Sequence, residues 1–176
     1  MSAAAPPFRL EPLGAGHDRS AFECESERQT AYFRTVAGQH NDKSISAVYV
    51  AVEIASERIA GFYTLSMFLI DAGDLPPELK PLRLPKSGYL PAVLIGRLAR
   101  DSRFAGQGIG ELLVVDALFQ AEQAARHAAA VAVVVDAESD AARRFWLGQE
   151  FLPLPGMKDR LILPMQAVRK RLRGPA

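Results

Sequence analysis

In the stretch RFAGQGIGELL (residues 103–113), glycine recurs as Gly106, Gly108 and Gly110, immediately before a run with helical periodicity. That spacing has a chemical use. The first N–H groups of a helix have no intrahelical partner and carry partial positive charge, and residues without side chains let those amides close on an anion. A strand feeding such a loop is a way to hold a phosphate. Two familiar phosphate loops do not fit. The dinucleotide fingerprint asks for a third glycine where Leu113 or Glu111 stands, and a P-loop asks for Lys and then Ser or Thr after Gly110, where Glu111 and Leu112 stand. The alternative to an anion cradle is then a plain flexible turn.

The elements around the loop read as follows. Phe8 to Glu11 predicts a strand, and a helix follows from about Ser20 to Val36 with Phe22, Ala31, Tyr32 and Phe33 inward. Ser44–Glu53 and Ile59–Ile70 are rich in β-branched and aromatic residues and form a β-hairpin. Pro76, Pro77, Pro81 and Pro85 break the connection to the next strand, Ala92–Ala99. Beyond the glycines, Ile109, Leu112, Leu113, Asp116, Ala117, Gln120 and Ala124 keep three-four spacing, which predicts a helix to His127 with a buried stripe of Leu112, Val115, Leu118 and Phe119. The continuous apolar run AAVAVVVDA predicts a central strand covered on both sides. Ser139 caps a short helix, and FLPLP and RLILPM make two closing strands joined by a turn at Gly156. The order predicts an α+β or mixed α/β layer arrangement with one sheet.

Composition narrows the function classes. At 176 residues, 49% hydrophobic and 23% charged, the chain fits one globular domain spanning residues 1–176. A net charge of +1 gives no chain-wide drive toward nucleic acid or membrane, although the tail from about residue 166 is basic: an arm for phosphates or a frayed, solvated terminus. Cys24 is the lone cysteine and reads as a buried small hydrophobe; it rules out an intrachain disulfide. His17, His40 and His127 are far apart without metal-ligand spacing, so no metal is expected. MSAAAPPFRL has no basic start or long apolar stretch, and no apolar run approaches a membrane span, so a cytoplasmic protein is expected.

LARDSRFAGQGIGELLVVDAL resembles motif A of the GNAT (Gcn5-related) N-acetyltransferases, in which the loop holds the pyrophosphate of acetyl-coenzyme A (acetyl-CoA). The resemblance runs over nearly the whole chain, and GRLA before the loop and PLPGMKDRLILPM after the last helix are similar to the GNAT toxins of type II toxin–antitoxin systems. It implies a GNAT fold, one central mostly antiparallel sheet of about six to seven strands flanked by helices. It also implies acetyl transfer from acetyl-CoA to the amino group of aminoacyl-tRNA, silencing by a ribbon-helix-helix antitoxin, and a homodimer. A small-molecule or protein amine as acceptor, or a degenerate acetyl-CoA-binding protein, remain as alternatives.

Carried onto this chain, the resemblance makes Leu98, Ala99 and Arg100 the backbone partners of the pantetheine arm. The Leu98 N–H becomes the group that polarises the thioester carbonyl. Ala105, Gly106, Gln107, Gly108, Ile109 and Gly110 become the pyrophosphate loop, and Asp136 and Phe145 join the cofactor side. Three departures stand out. Ala105 stands where Gln or Arg is usual, and in FWLGQEF, aligned with FYxxxGF, Trp146 takes the place of the tyrosine acid and Glu150 that of the glycine. An indole N–H can donate a hydrogen bond but cannot practically give up its proton, so Trp146 is no general acid. It is either a packed aromatic or a hydrogen-bond donor to the sulfur, with Tyr63 or Tyr89 as substitute acids and Glu53 as a candidate base. Arg97, Arg100, Arg103, Arg143, Arg144, Lys158 and Arg160 offer phosphate contacts, interleaved with Asp101, Asp136, Glu138 and Asp140.

Overall fold

The structure is a computed structural model that describes residues 7–80 and 83–174. Pro81, the first six residues of the MSAAAPPFRL stretch, and the last two of the basic tail lie outside the described residues. Strands β1 (Phe8–Pro12), β2 (Ala47–Glu53), β3 (Ile59–Asp71), β4 (Tyr89–Arg100), β5 (Ala132–Asp136), β6 (Leu152–Leu154) and β7 (Met157–Pro164) form one sheet in the order β1-β2-β3-β4-β5-β7-β6. β4 and β5 pair in parallel, whereas β1–β2, β2–β3, β5–β7 and β6–β7 are antiparallel. Helices α1 (Glu27–Thr35), α2 (Ala37–Asp42), α3 (Ile109–His127), α4 (Asp140–Gly148) and α5 (Met165–Arg173) complete the mixed α/β arrangement.

The chain gathers into two compact units, the first running to Leu65 and including Arg97–Ala117. Its core follows the period of two in the hairpin. Val48, Val50 and Val52 of β2 and Phe62 of β3 meet Phe22 and, from α1, Tyr32 and Phe33. Phe33 stacks on Phe62 at 4.2 Å, and Phe22 meets both edge-on. On the opposite side, a Cβ at Gly61 would lie 2.8 Å from Leu113 and 2.9 Å from the Ala99 carbonyl, so glycine here permits α3 to press onto β3.

The second unit comprises Ser66–Gly96 and the chain from Leu118. Ile70, Leu90, Ala92, Val134 and Ile162 form its core. Val133, Val134 and Val135 are all buried, as a strand covered on both faces requires.

Four readings need correction. The first helix begins at Glu27, capped by Ser26, because residues 18–24 are occupied otherwise: Asp18 turns the chain through Ser20, and the Glu23 backbone pairs with Asp101 and Ser102. Ala31 is exposed, and α2, a short separate helix, follows. The buried face of α3 carries Ile109, Leu113, Val114, Ala117, Leu118 and Ala121, while Val115 and Phe119 are about half exposed and Leu112 is intermediate. One face of a largely apolar helix does not reveal which stripe the sheet covers. Lastly, the basic tail is helical to Arg173. Met165 and Val168 are buried beneath it, and Arg171 donates to both the carbonyl and the side-chain oxygen of Gln149.

Glu150, where the related pattern has glycine, ends the α4 turn at φ +69°. Its side chain is exposed, so nothing offsets the left-handed backbone. Glu150→Gly is expected to raise unfolding free energy by about 0.5–1 kcal/mol in a denaturant titration.

Candidate active site

The glycine loop is stretched between two buried anchors. Phe104 packs edge-on against Phe8 at 5.9 Å, Ile109 is buried at the start of α3, and residues 105–108 between them are exposed. Gly106 and Gly108 adopt φ of +76° and +73°, and a Cβ on either would meet nothing within 4 Å, so the space above the loop is open. Ala105 closes the preceding turn with its side chain exposed, and Gln107 is exposed as well. Among the described residues, no backbone N–H from Gly106 through Glu111 donates to a backbone carbonyl; the Leu112 N–H is the first, reaching Gly108. A left-handed glycine, a second one, and the first turn of a 19-residue helix thus leave consecutive amides on one short segment. Such a nest binds oxyanions.

The corner before this loop is fixed by Asp101. Its side chain is fully buried; Oδ1 accepts from the Arg103 N–H and from Arg103 Nε, both at 2.9 Å, and Oδ2 accepts from Arg103 Nη2 at 2.8 Å and the Glu23 N–H at 3.2 Å. Burial opposes ionisation, but these donors outweigh it and hold the carboxyl below its ordinary range. The Asp101 N–H itself reaches the Ala60 carbonyl at 2.8 Å.

That last bond sets the direction of β4. In an extended strand, successive N–H groups point to opposite edges. With the Asp101 N–H facing β3, and the Ala99 carbonyl beside Gly61 on the same edge, the N–H groups of Leu98 and Arg100 face the other edge. The parallel ladder to β5 runs only from Val93–Val133 to Ile95–Val135. Leu98 and Arg100 therefore present backbone donors on an edge whose ladder has already ended. Arg100 Nε is buried without a hydrogen-bond partner, and the nearest anion to its guanidinium is the exposed Glu25 at 3.7 Å. Arg97 is otherwise engaged: its guanidinium lies 3.9 Å over Tyr32 and donates to Gln29 at 3.0 Å.

The remaining expected site residues lie in the second unit. Trp146 is buried to 6% exposure and wedged edge-on between Phe145 at 5.2 Å and Phe151 at 5.0 Å, which matches a packed aromatic. Phe145 is half-buried. Asp136, at the end of β5, is exposed and receives both Nε and Nη2 of Arg160 at 2.7 and 2.8 Å. Arg143 is tied to the Lys158 carbonyl, while Arg144 and the Lys158 side chain are exposed.

Tyr63 does not qualify as a substitute acid. Its ring is fully buried, its hydroxyl donates to Asp116 at 2.5 Å, and burial, that bond and the Asp116 charge push its pKa far upward. Glu53, the candidate base, accepts from the Ser56 hydroxyl in the hairpin turn, and Tyr89 is exposed at the start of β4. Sequence reasoning missed Asp101 as the organiser of the corner, taking it for surface charge; an Asp two residues before Arg103 at a strand end is the signature of an Asx turn. Among the described residues, no three His, Cys, Asp or Glu side chains gather as metal ligands, and no helix is long and apolar enough to cross a membrane.

The chain is 32% identical over 168 residues to a probable toxin TacT of Sinorhizobium fredii, an alignment covering 91% of this chain and 92% of that protein. It belongs to the TacT-like GNAT toxins. AtaT complexed with acetyl-methionyl-tRNAfMet shares the fold at a TM-score of 0.85 and 25% identity, over 93% of this chain and 98% of that one. A structure of AtaTR bound with acetyl-CoA gives a TM-score of 0.82 and 26% identity, over 94% and 98% of the two chains. No family profile matches this GNAT toxin.

Because Asp101 is held ionised, its contribution to stability is present above the pKa of an unfolded aspartate, near 3.9, and is lost as pH falls through its lower native value. Asp101→Asn is expected to cost about 1.5–3 kcal/mol at neutral pH. Thermal melts of the two proteins should converge below about pH 4.

Proposed function

We propose that this GNAT toxin transfers acetyl from acetyl-CoA to the amino group of aminoacyl-tRNA. The observation that supports this most directly is the run of unpartnered amides from Gly106 through Glu111, open to solvent and free of obstructing side chains. The segment suits a pyrophosphate without needing the side chain that Ala105 lacks, since amides and the helix start supply the donors. When bound, acetyl-CoA supplies an activated acyl group as a thioester.

The residues divide the work. Ala105, Gly106, Gln107, Gly108, Ile109 and Gly110 hold the pyrophosphate, and the unpaired edge of β4 at Leu98, Ala99 and Arg100 takes the pantetheine arm. The Leu98 N–H, preset on that edge, donates to the thioester oxygen, and a preorganised donor of this kind typically supports rates by about 10²–10³. Asp136 and Phe145 serve the cofactor side. The acceptor amine must arrive neutral, and no carboxylate stands out as its base.

Trp146 gives no proton, and with Tyr63 locked to Asp116 the departing thiolate takes its proton from solvent. Thiols have pKa values near 8.5, so the thiolate leaves tolerably without an acid, and transfer is slower than in an enzyme with tyrosine here. AtaT with acetyl-methionyl-tRNAfMet supports aminoacyl-tRNA over a small-molecule or protein amine. The same family reading makes the chain a single acetyltransferase domain, a homodimer in the cytoplasm, silenced by a ribbon-helix-helix antitoxin.

Calorimetric titration with acetyl-CoA tests the cradle. The native protein should bind in the micromolar range, and Gly108→Asp, whose side chain enters open space at a cost of about 1–2 kcal/mol in left-handed backbone strain and places a carboxylate among the amides, should abolish binding without unfolding the chain. Binding that survives the substitution would rule out the loop as the pyrophosphate site.

Single-turnover acetylation of charged tRNA tests the missing acid. Trp146→Tyr is expected to raise the rate by about tenfold or more at pH 7. An unchanged rate would mean that the proton is not limiting and that Trp146 serves packing alone.

A further inference from the structure

A groove between the C-terminal half of α3 and α5 lies within the second unit and takes no part in the chemistry above. It encloses about 640 Å³, within the range of pockets that hold small organic ligands. Its apolar lining is Phe119, which is 46% exposed, and Leu172. Its walls carry Arg126, Arg169 and Arg173.

The single acid, Glu122, is buried and already spent. It accepts from Arg126 Nε at 2.9 and 3.0 Å and from Arg169 Nε at 3.4 Å. These bonds use one nitrogen of each guanidinium and orient it. Arg173 is anchored in the same way, its Nε donating to the Arg169 carbonyl at 3.2 Å. Each arginine is thus fixed through Nε, and the three lining cations outnumber the one anion.

We propose that this groove is a nucleotide-binding site: a base lies on Phe119 and Leu172, and its phosphate is held by Arg126, Arg169 and Arg173. An exposed aromatic beside fixed guanidinium groups is the arrangement that binds unpaired bases with their backbone, because stacking tolerates any base and the arginines take the charge. An acidic peptide would match the charge, but it would leave the exposed ring without a planar partner. The ligand is either an unpaired nucleotide of an RNA chain or a free mononucleotide. The RNA case rests on the proposed tRNA acceptor.

The test uses the full chain and labelled uncharged tRNA in fluorescence anisotropy, so it requires no acetyl transfer. Arg126→Gln/Arg173→Gln is expected to weaken binding roughly tenfold at low salt and to flatten the slope of log K against log salt by about 1.5. Phe119→Ala should weaken binding with the slope unchanged. Acetyl-CoA binding, measured alongside, should stay as in the parent, which excludes misfolding, while the thermal midpoint of the arginine variant falls by a few degrees because Glu122 loses Arg126.

AMP titrated into the parent and both variants separates the two sources. Saturable AMP binding lost in the variants, with tRNA affinity untouched, assigns the groove to free nucleotides. Parent-like affinity for both probes in folded variants overturns the proposal. So does loss of binding to a glutamate-rich amphipathic peptide with both nucleotide affinities intact, since the groove would then dock protein. If aminoacyl-tRNA is not acetylated while the groove variants still lose uncharged tRNA, only the acceptor assignment fails.

Discussion

The arrangement of the β4 corner and the glycine loop depends on one buried carboxylate. Asp101 gathers Arg103 and the Glu23 backbone at the point where β4 gives way to the glycine loop. A carboxylate with no solvent exposure persists ionised only when donors replace its hydration, and here both oxygens are supplied. Two consequences follow from that fixed corner. The Asp101 amide faces Ala60, so strand geometry turns the Leu98 amide to the opposite edge. The chain also enters the loop from a set direction, with Phe104 buried next to it.

The loop inherits this rigidity. Anchored at Phe104 and Ile109, four exposed residues must reverse the chain in a short span, and the left-handed positions fall on Gly106 and Gly108. A side chain with a Cβ would strain those positions even though the space around them is open. The alternating glycines therefore answer a backbone requirement, and the exposed row of amides is its by-product. Gly110 lies already within α3.

Much of this was legible in the sequence, for identifiable reasons. Strand–glycine loop–helix order, the continuous Val133–Val135 run and the Ser139 cap are local signals, and each became the expected element. The errors arose where tertiary contacts decide. Residues 20–26 have helical composition, but the Glu23 backbone is claimed by Asp101 and Ser102 and the Cys24 N–H by the Thr30 hydroxyl. The buried stripe of α3 differs from the expected one because Val115, Phe119 and Leu113 are all apolar, and the face that closes on the bare backbone of Gly61 is the one that contains Leu113. At the site, the glycine spacing was readable, whereas the role of Asp101 and the lock between Tyr63 and Asp116 require pairs 78 and 53 residues apart.

The two departures in the α4 segment share a physical logic. Where the related pattern has tyrosine and glycine, this chain has Trp146 and Glu150. Trp146 extends the aromatic contact with Phe145 and Phe151 and fills the space beneath the helix, adding buried area at a position where a proton donor is usual. Glu150 keeps the left-handed turn but loses the residue that adopts it without strain. The Phe151 N–H returns to the Trp146 carbonyl at 3.2 Å, closing the backbone around the strained residue. A tyrosine at 146 would restore an acid only at the expense of part of the aromatic contact that stabilises this end of the helix. Under the proposed function, the chain gives up a proton donor at a position that gains buried aromatic contact, and a thioester, whose thiolate departs readily, tolerates that loss.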